Sequence, residues 1–198
     1  TAGTTNINAG SSYNVAGTTV ISGGFASFNA AATTNGLTMS GGDITGTGTL
    51  TVTGALNFLV RAMDGTGITN ANGGTTFSGG GDKFLGTGRT LNLNSNSDWT
   101  GGTLRFFGGT LNNTAGNTFT TNFNGTMQLD TGTNAFNNAG IFTKSAGVGT
   151  TTIGITTNNT GTVNANSGTL SFNGGGTSTG AWNVDSGNTL SFGGGTHH

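Results

Sequence analysis

Proline, cysteine and glutamate are all missing from the 198 residues, and no histidine precedes His197. Charged residues make up 6% of the chain, where a soluble globular domain usually carries about 25%. Without Cys there are no disulfide staples, and with His confined to the end there is no His- or Cys-based zinc centre. The shortage of charge, set against so much glycine, excludes a helix bundle and a coiled coil. A Ser-His-Asp triad lacks its base. The only cations are Lys83, Lys144, Arg61, Arg89 and Arg105, and the formal net charge is −1. Nucleic acid is therefore not an expected partner, because phosphate binding needs clustered Lys and Arg. No apolar run approaches the ~20 residues of a membrane-spanning helix, so no span is expected.

In place of these residues stand 41 Gly, 42 Thr and 26 Asn, about 55% of the chain. Such composition often marks disorder, but disordered chains carry high net charge, Pro and few aromatics. Here 13 Phe are spread throughout, and 31% of residues are hydrophobic. That supplies a narrow core.

The chain divides into units of about seven residues, each alternating apolar with polar and closing on Gly, Ser or Asn. TTVISGG runs from Thr18, TLTVTG from Thr49, TLRFFGG from Thr103, TMQLDTG from Thr126 and TLSFNGGG from Thr169. Alternation with Thr, Val, Ile and Phe is a strand signature, and the Gly/Asn/Ser clusters are turns. Leu170/Phe172 return as Leu190/Phe192 twenty positions on, and Asn137-Asn138-Ala139-Gly140 returns as Asn158-Asn159-Thr160-Gly161 after twenty-one. A period near 20 holding about three strands is one coil of a parallel β-helix. An antiparallel sandwich would want longer strands and turn signals every 8–12 residues. The expectation is an all-β, single-domain parallel β-helix (β-solenoid) over residues 1–196, of about ten coils of roughly 20 residues. His197 and His198 could be a tag remnant and receive no role.

FNNAGIFTKSAG from Phe136, TNNTGTVNANSGTLSFNGGGT from Thr157 and WNVDSGNTLSFGGGT from Trp182 resemble the strand-turn repeats of large secreted bacterial β-helix proteins. These are the autotransporter-passenger and filamentous-haemagglutinin-like adhesins. The resemblance covers the C-terminal half by motif and the rest by composition. It implies a parallel β-helix at the cell surface or outside the cell, with a structural role, and carries over no functional residue.

Candidate chemistry is sparse. Asp43, Asp64 and Asp82, spaced by 21 and 18, fall close to the coil period, so they either stack as a carboxylate set or are separate turn residues. No aromatic sugar cleft accompanies them, and neither an enzyme nor a cofactor or metal site is expected. Gly79-Gly80-Gly81-Asp82 evokes a calcium nonapeptide but does not recur. Ala55–Met63 is the longest apolar run. With Leu56, Phe58 and Val60 inside, Leu59, Arg61 and Met63 would point outward, as local packing or as a lateral contact patch. In the same way Leu104 and Phe106 inside would leave Arg105 and Phe107 outside. Thr45, Thr47, Thr49, Thr51 and Thr53 would line one side of an extended segment, a candidate flat Thr face for ice, glycan or a host surface.

Neither end of the pattern carries a shielding element, so strand edges are expected at both. The expected function is an extracellular structural β-solenoid: a filament subunit pairing head to tail with itself, or a stalk segment of a bacterial surface adhesin. The alternative is a surface-recognition module working through flat Thr/Asn-rich faces.

Overall fold

The computed structural model describes residues 3–198. The chain winds into a parallel β-solenoid of about nine turns of about 21 residues. The first coils hold β1 (Thr4–Ile7), β2 (Tyr13–Ile21), β3 (Phe25–Phe28), β4 (Ala32–Met39), β5 (Asp43–Thr45) and β6 (Thr49–Val52). Then come β7 (Leu56–Phe58), β8 (Arg61–Met63), β9 (Ile68–Ala71), β10 (Thr75–Phe77), β11 (Lys83–Gly86), β12 (Thr90–Leu93) and β13 (Ser97–Trp99). The middle coils contain β14 (Leu104–Phe107), β15 (Thr110–Asn113), β16 (Thr118–Thr121), β17 (Thr126–Thr131), β18 (Ala135–Asn138) and β19 (Ile141–Lys144). The last are β20 (Thr150–Ile153), β21 (Thr156–Asn159), β22 (Thr162–Ala165), β23 (Thr169–Phe172), β24 (Ala181–Val184) and β25 (Thr189–Phe192).

These strands stack in three columns. The first is a ten-stranded sheet, β1-β3-β5-β8-β11-β14-β17-β20-β23-β25. The second runs from the start of β4 through β6, β9, β12, β15, β18 and β21, and the third from the end of β4 through β7, β10, β13, β16, β19, β22 and β24. Columns two and three form one sheet because β4 rounds their shared corner without a break. Every named strand pair is parallel. At ~4.8 Å per coil the rod is about 43 Å long.

Short strands with strict alternation bury every second residue, and the burial follows it: β6, β12, β16 and β18 alternate half-buried and buried. Phe side chains pack against one another inside, both between coils and across one coil. Phe77–Phe119 ring centroids lie 5.8 Å apart, Phe119–Phe142 5.4 Å and Phe136–Phe142 5.1 Å. Each fully buried Phe contributes roughly 1.5–3 kcal/mol. The corners need glycine where the backbone turns left-handed against the coil below. Gly46 has φ 101°, and a β-carbon there would meet the Phe28 carbonyl oxygen.

Coil length is not uniform. Eighteen residues separate the paired Phe25 and Asp43, but twenty-six separate Met127 and Ile153. Most of the extra residues go into the corners and one into a bulge of β17, so the outline of the rod changes from coil to coil.

Candidate functional site

A group of polar and aromatic side chains lies on the outward face of column one. Arg105 is at the centre, on the outward face of β14. Its Nε and Nη2 donate to the two carboxylate oxygens of Asp130 at 2.9 and 2.5 Å, and Nη1 donates to Asp82 at 3.3 Å. Gln128 donates to Asp130 at 2.8 Å. The guanidinium carbon sits 5.4 Å from the Phe84 ring centroid and 5.8 Å from that of Phe107. The register builds this group: Phe84 pairs with Arg105, Arg105 with Gln128, and a bulge after Phe106/Leu129 inserts Asp130 beside them. Hydrogen bonding to Asp130, ahead of the ion-pair attraction, holds Arg105 charged well above its ordinary range. The same bonds hold the Asp130 carboxyl below the usual carboxylate value. One guanidinium against two carboxylates leaves the cluster at −1.

Of the outward-facing residues expected from the sequence, Arg105 and Phe107 are brought together here, with Leu104 and Phe106 buried behind them. Leu59 is half-buried at the corner before β8. Arg61 faces out and pairs with Asp43 at 3.5 Å. Met63 departs from expectation: it is fully buried and pairs with Leu85 in the core. The reason is the corner between β7 and β8, where Arg61 takes φ 83° and breaks the alternation that would have carried Met63 outward. Leu59, Arg61 and Met63 therefore form no common patch.

The Thr face is likewise redrawn. Thr45 ends β5 in column one, and the chain turns at Gly46 before Thr49 and Thr51 enter β6 in column two. Thr47 and Thr53 are exposed residues between strands. The five thus do not share a side. The regular outward face runs across coils instead. Thr49, Ile68, Thr90, Thr110, Ala135 and Thr156 form one column. Beside it, Asn92 donates to Asn70 at 2.7 Å, Asn112 to Asn92 at 2.7 Å, Asn137 to Asn112 at 2.8 Å and Asn158 to Asn137 at 2.9 Å. This ladder of amides continues from Thr51, which pairs with Asn70.

Asp43, Asp64 and Asp82 do not stack. Asp43 occupies the register of Ala62 and accepts its N–H at 2.9 Å, Asp64 follows β8, and Asp82 precedes β11. Three different registers give three separate carboxylates.

Sequence reasoning missed the buried cations. Lys83, Arg89 and Lys144 lie inside the solenoid. Lys83 Nζ donates to the carbonyls of Gly81 at 2.8 Å, Gly101 at 2.9 Å and Gly79 at 3.3 Å, closing two glycine-rich corners. Lys144 does the same for Ala146 at 2.9 Å and the Asn124 side chain at 3.2 Å. Burial lowers Lys83 to about 8 despite the nearby Asp82 charge, lowers Arg89 to about 10, and lowers Lys144. The signal was present in the parity: Lys144 occupies the alternate position that Phe142 shares in IFTK, where a core residue belongs.

The fold places the chain among parallel β-solenoids. Compared with known protein families, with curated proteins and with solved structures, it matches none of them.

Proposed function

We propose that the chain is a stiff structural segment of an extracellular bacterial surface protein, either part of a stalk or a unit that joins end to end into a filament. The observation that carries this reading is the continuity of its ladders. Backbone pairing, the stacked Phe core and the outward Asn ladder all run along one axis, so bending or stretching the rod strains every coil together. At one end β1 and β2 each pair on one side only among the described residues. At the other, β24 and β25 do so, with Val184 50% and Phe192 49% exposed. Such edges accept another strand, whether from further coils or from a second copy. The low net charge offers little repulsion against it.

Negative-stain electron microscopy of the purified chain tests the reading. Long fibres of uniform width support end-to-end joining. Isolated rods of about 43 Å at high concentration overturn joining and leave the stalk segment. Rods that protease digests as readily as an unfolded control overturn the structural role itself. A second reading, surface recognition, is supported by the outward Asn column from Asn70 to Asn158, which repeats side-chain amides coil by coil at ~4.8 Å. Binding on a glycan array, or shaping of ice crystals at micromolar protein, would favour it.

A further inference from the structure

In the middle of the rod one strand is left half-covered. β17 is six residues long, and β14 pairs with it as far as Thr131. On its other side β20 covers only Thr126 and Met127. The next coil cuts the corner: eight residues lead from Met127 to Ala135, but only three from Ile153 to Thr156, their partners one coil on. The rest of β17 forms a ledge.

Leu129 lies on that ledge. It pairs with Phe106, which pairs with Leu85, which pairs with Met63; these three are buried. Leu129 therefore occupies a core position, yet it is 52% exposed. Its backbone is open as well. The carbonyls of Gly125 and Met127 accept from Thr152 and Gly154 at 2.9 and 2.8 Å, so alternate residues of this strand turn toward β20. By the same alternation the N–H and C=O of Leu129 turn that way, beyond the last β20 pair at Met127 and Ile153, and neither bonds the backbone of Gly154 or Ile155. An unpaired edge beside an uncovered apolar side chain is the geometry of strand addition.

We propose that the Leu129 edge of β17 binds an extended peptide segment of a partner protein. The segment would continue the β17–β20 ladder, place a β-branched residue over Leu129, and carry basic residues at its outward positions. The charge preference follows from the neighbouring Asp82–Arg105–Asp130 cluster, which sums to −1, whereas Lys83, Lys144 and Arg89 are turned inside. This ledge is internal to the rod and independent of what covers either end.

The probe is a fluorescein-labelled acetyl-Thr-Lys-Val-Lys-Val-Lys-Thr amide, with binding read by fluorescence anisotropy. Saturable binding below about 1 mM is expected. Leu129→Pro, which removes the N–H facing the open edge and cuts back the apolar side chain there, should weaken it at least about tenfold, as should N-methylation of the peptide backbone. Replacing the Lys residues of the peptide with Glu should also weaken it. No saturable binding, or equal binding by Leu129→Pro and by the N-methylated peptide, overturns the proposal. Sedimentation showing a dimer that Leu129→Pro abolishes assigns the edge to a second copy and overturns the partner reading. Should Leu129→Pro lose its cooperative melt, the N-methylated peptide against the unaltered chain decides alone.

Discussion

The side-chain amide of Asn113 donates to that of Asn138 at 2.7 Å, one coil and 25 residues away, in the buried corner between columns two and three. Asn138 in turn donates to Asn159 at 2.8 Å and to the Thr162 carbonyl at 3.0 Å. Both amides occupy a register filled by Val52, Ala71 and Leu93 in earlier coils. Asn138→Ala should therefore cost about 2–3 kcal/mol, because it strands buried partners on both sides. Asn137→Ala, in the half-exposed ladder next door, should cost about 0.5–1 kcal/mol. Urea denaturation of the two variants measures the difference, and equal losses would deny the buried ladder its weight.

Gly46→Ala should destabilise by more than about 2 kcal/mol, since φ 101° and the Phe28 carbonyl oxygen both oppose a β-carbon. Gly23→Ala meets open space at an ordinary φ and should stay within about 0.5 kcal/mol of the parent. Thermal melts of the pair test whether corner geometry, rather than glycine content as such, sets stability.

Lys83 is lowered to about 8 by burial, from an ordinary 10.5. Between those values Lys83 holds more protons in the unfolded chain than in the folded one, so its contribution to stability should rise as pH increases from about 8 to 10.5 and be complete above that. The rise should shrink in Lys83→Met. Chemical denaturation at about pH 7.5, 9 and 10.5 provides the comparison.

Asp130 shows the opposite sign. Its carboxyl is held below the ordinary 3.8 by hydrogen bonds from Arg105, so its contribution is complete above that value. It is lost as pH falls through the lower folded value. Asp130→Asn should flatten the acid limb of the stability profile. A variant that loses stability on acidification as steeply as the parent would show that the Arg105 pair contributes nothing there.

Much of this molecule was legible in its residues. Alternation in words such as TLRFF and TLSF marked strands, and the twenty-residue return of Leu170/Phe172 marked coils, because both depend only on local periodicity. Leu104 and Phe106 in, Arg105 and Phe107 out, followed from the same rule. The rule failed at Met63, where one left-handed residue, Arg61, resets which side faces inward. It failed again at Thr45–Thr53, where a corner splits an apparently continuous alternation between two columns.

By itself the sequence determined that the chain is a β-solenoid with a narrow Phe-rich core, since period and parity are properties of neighbouring residues. Only the tertiary structure decided which residues meet across coils. Asn70, Asn92, Asn112, Asn137 and Asn158 become one ladder, and Arg105 finds Asp82 and Asp130, through coil lengths that vary from 18 to 26 residues. The same variation exposes Leu129, because the three-residue step from Ile153 to Thr156 cannot cover the eight-residue step from Met127 to Ala135. Contacts between coils depend on the sum of every corner before them, and no local pattern records that sum.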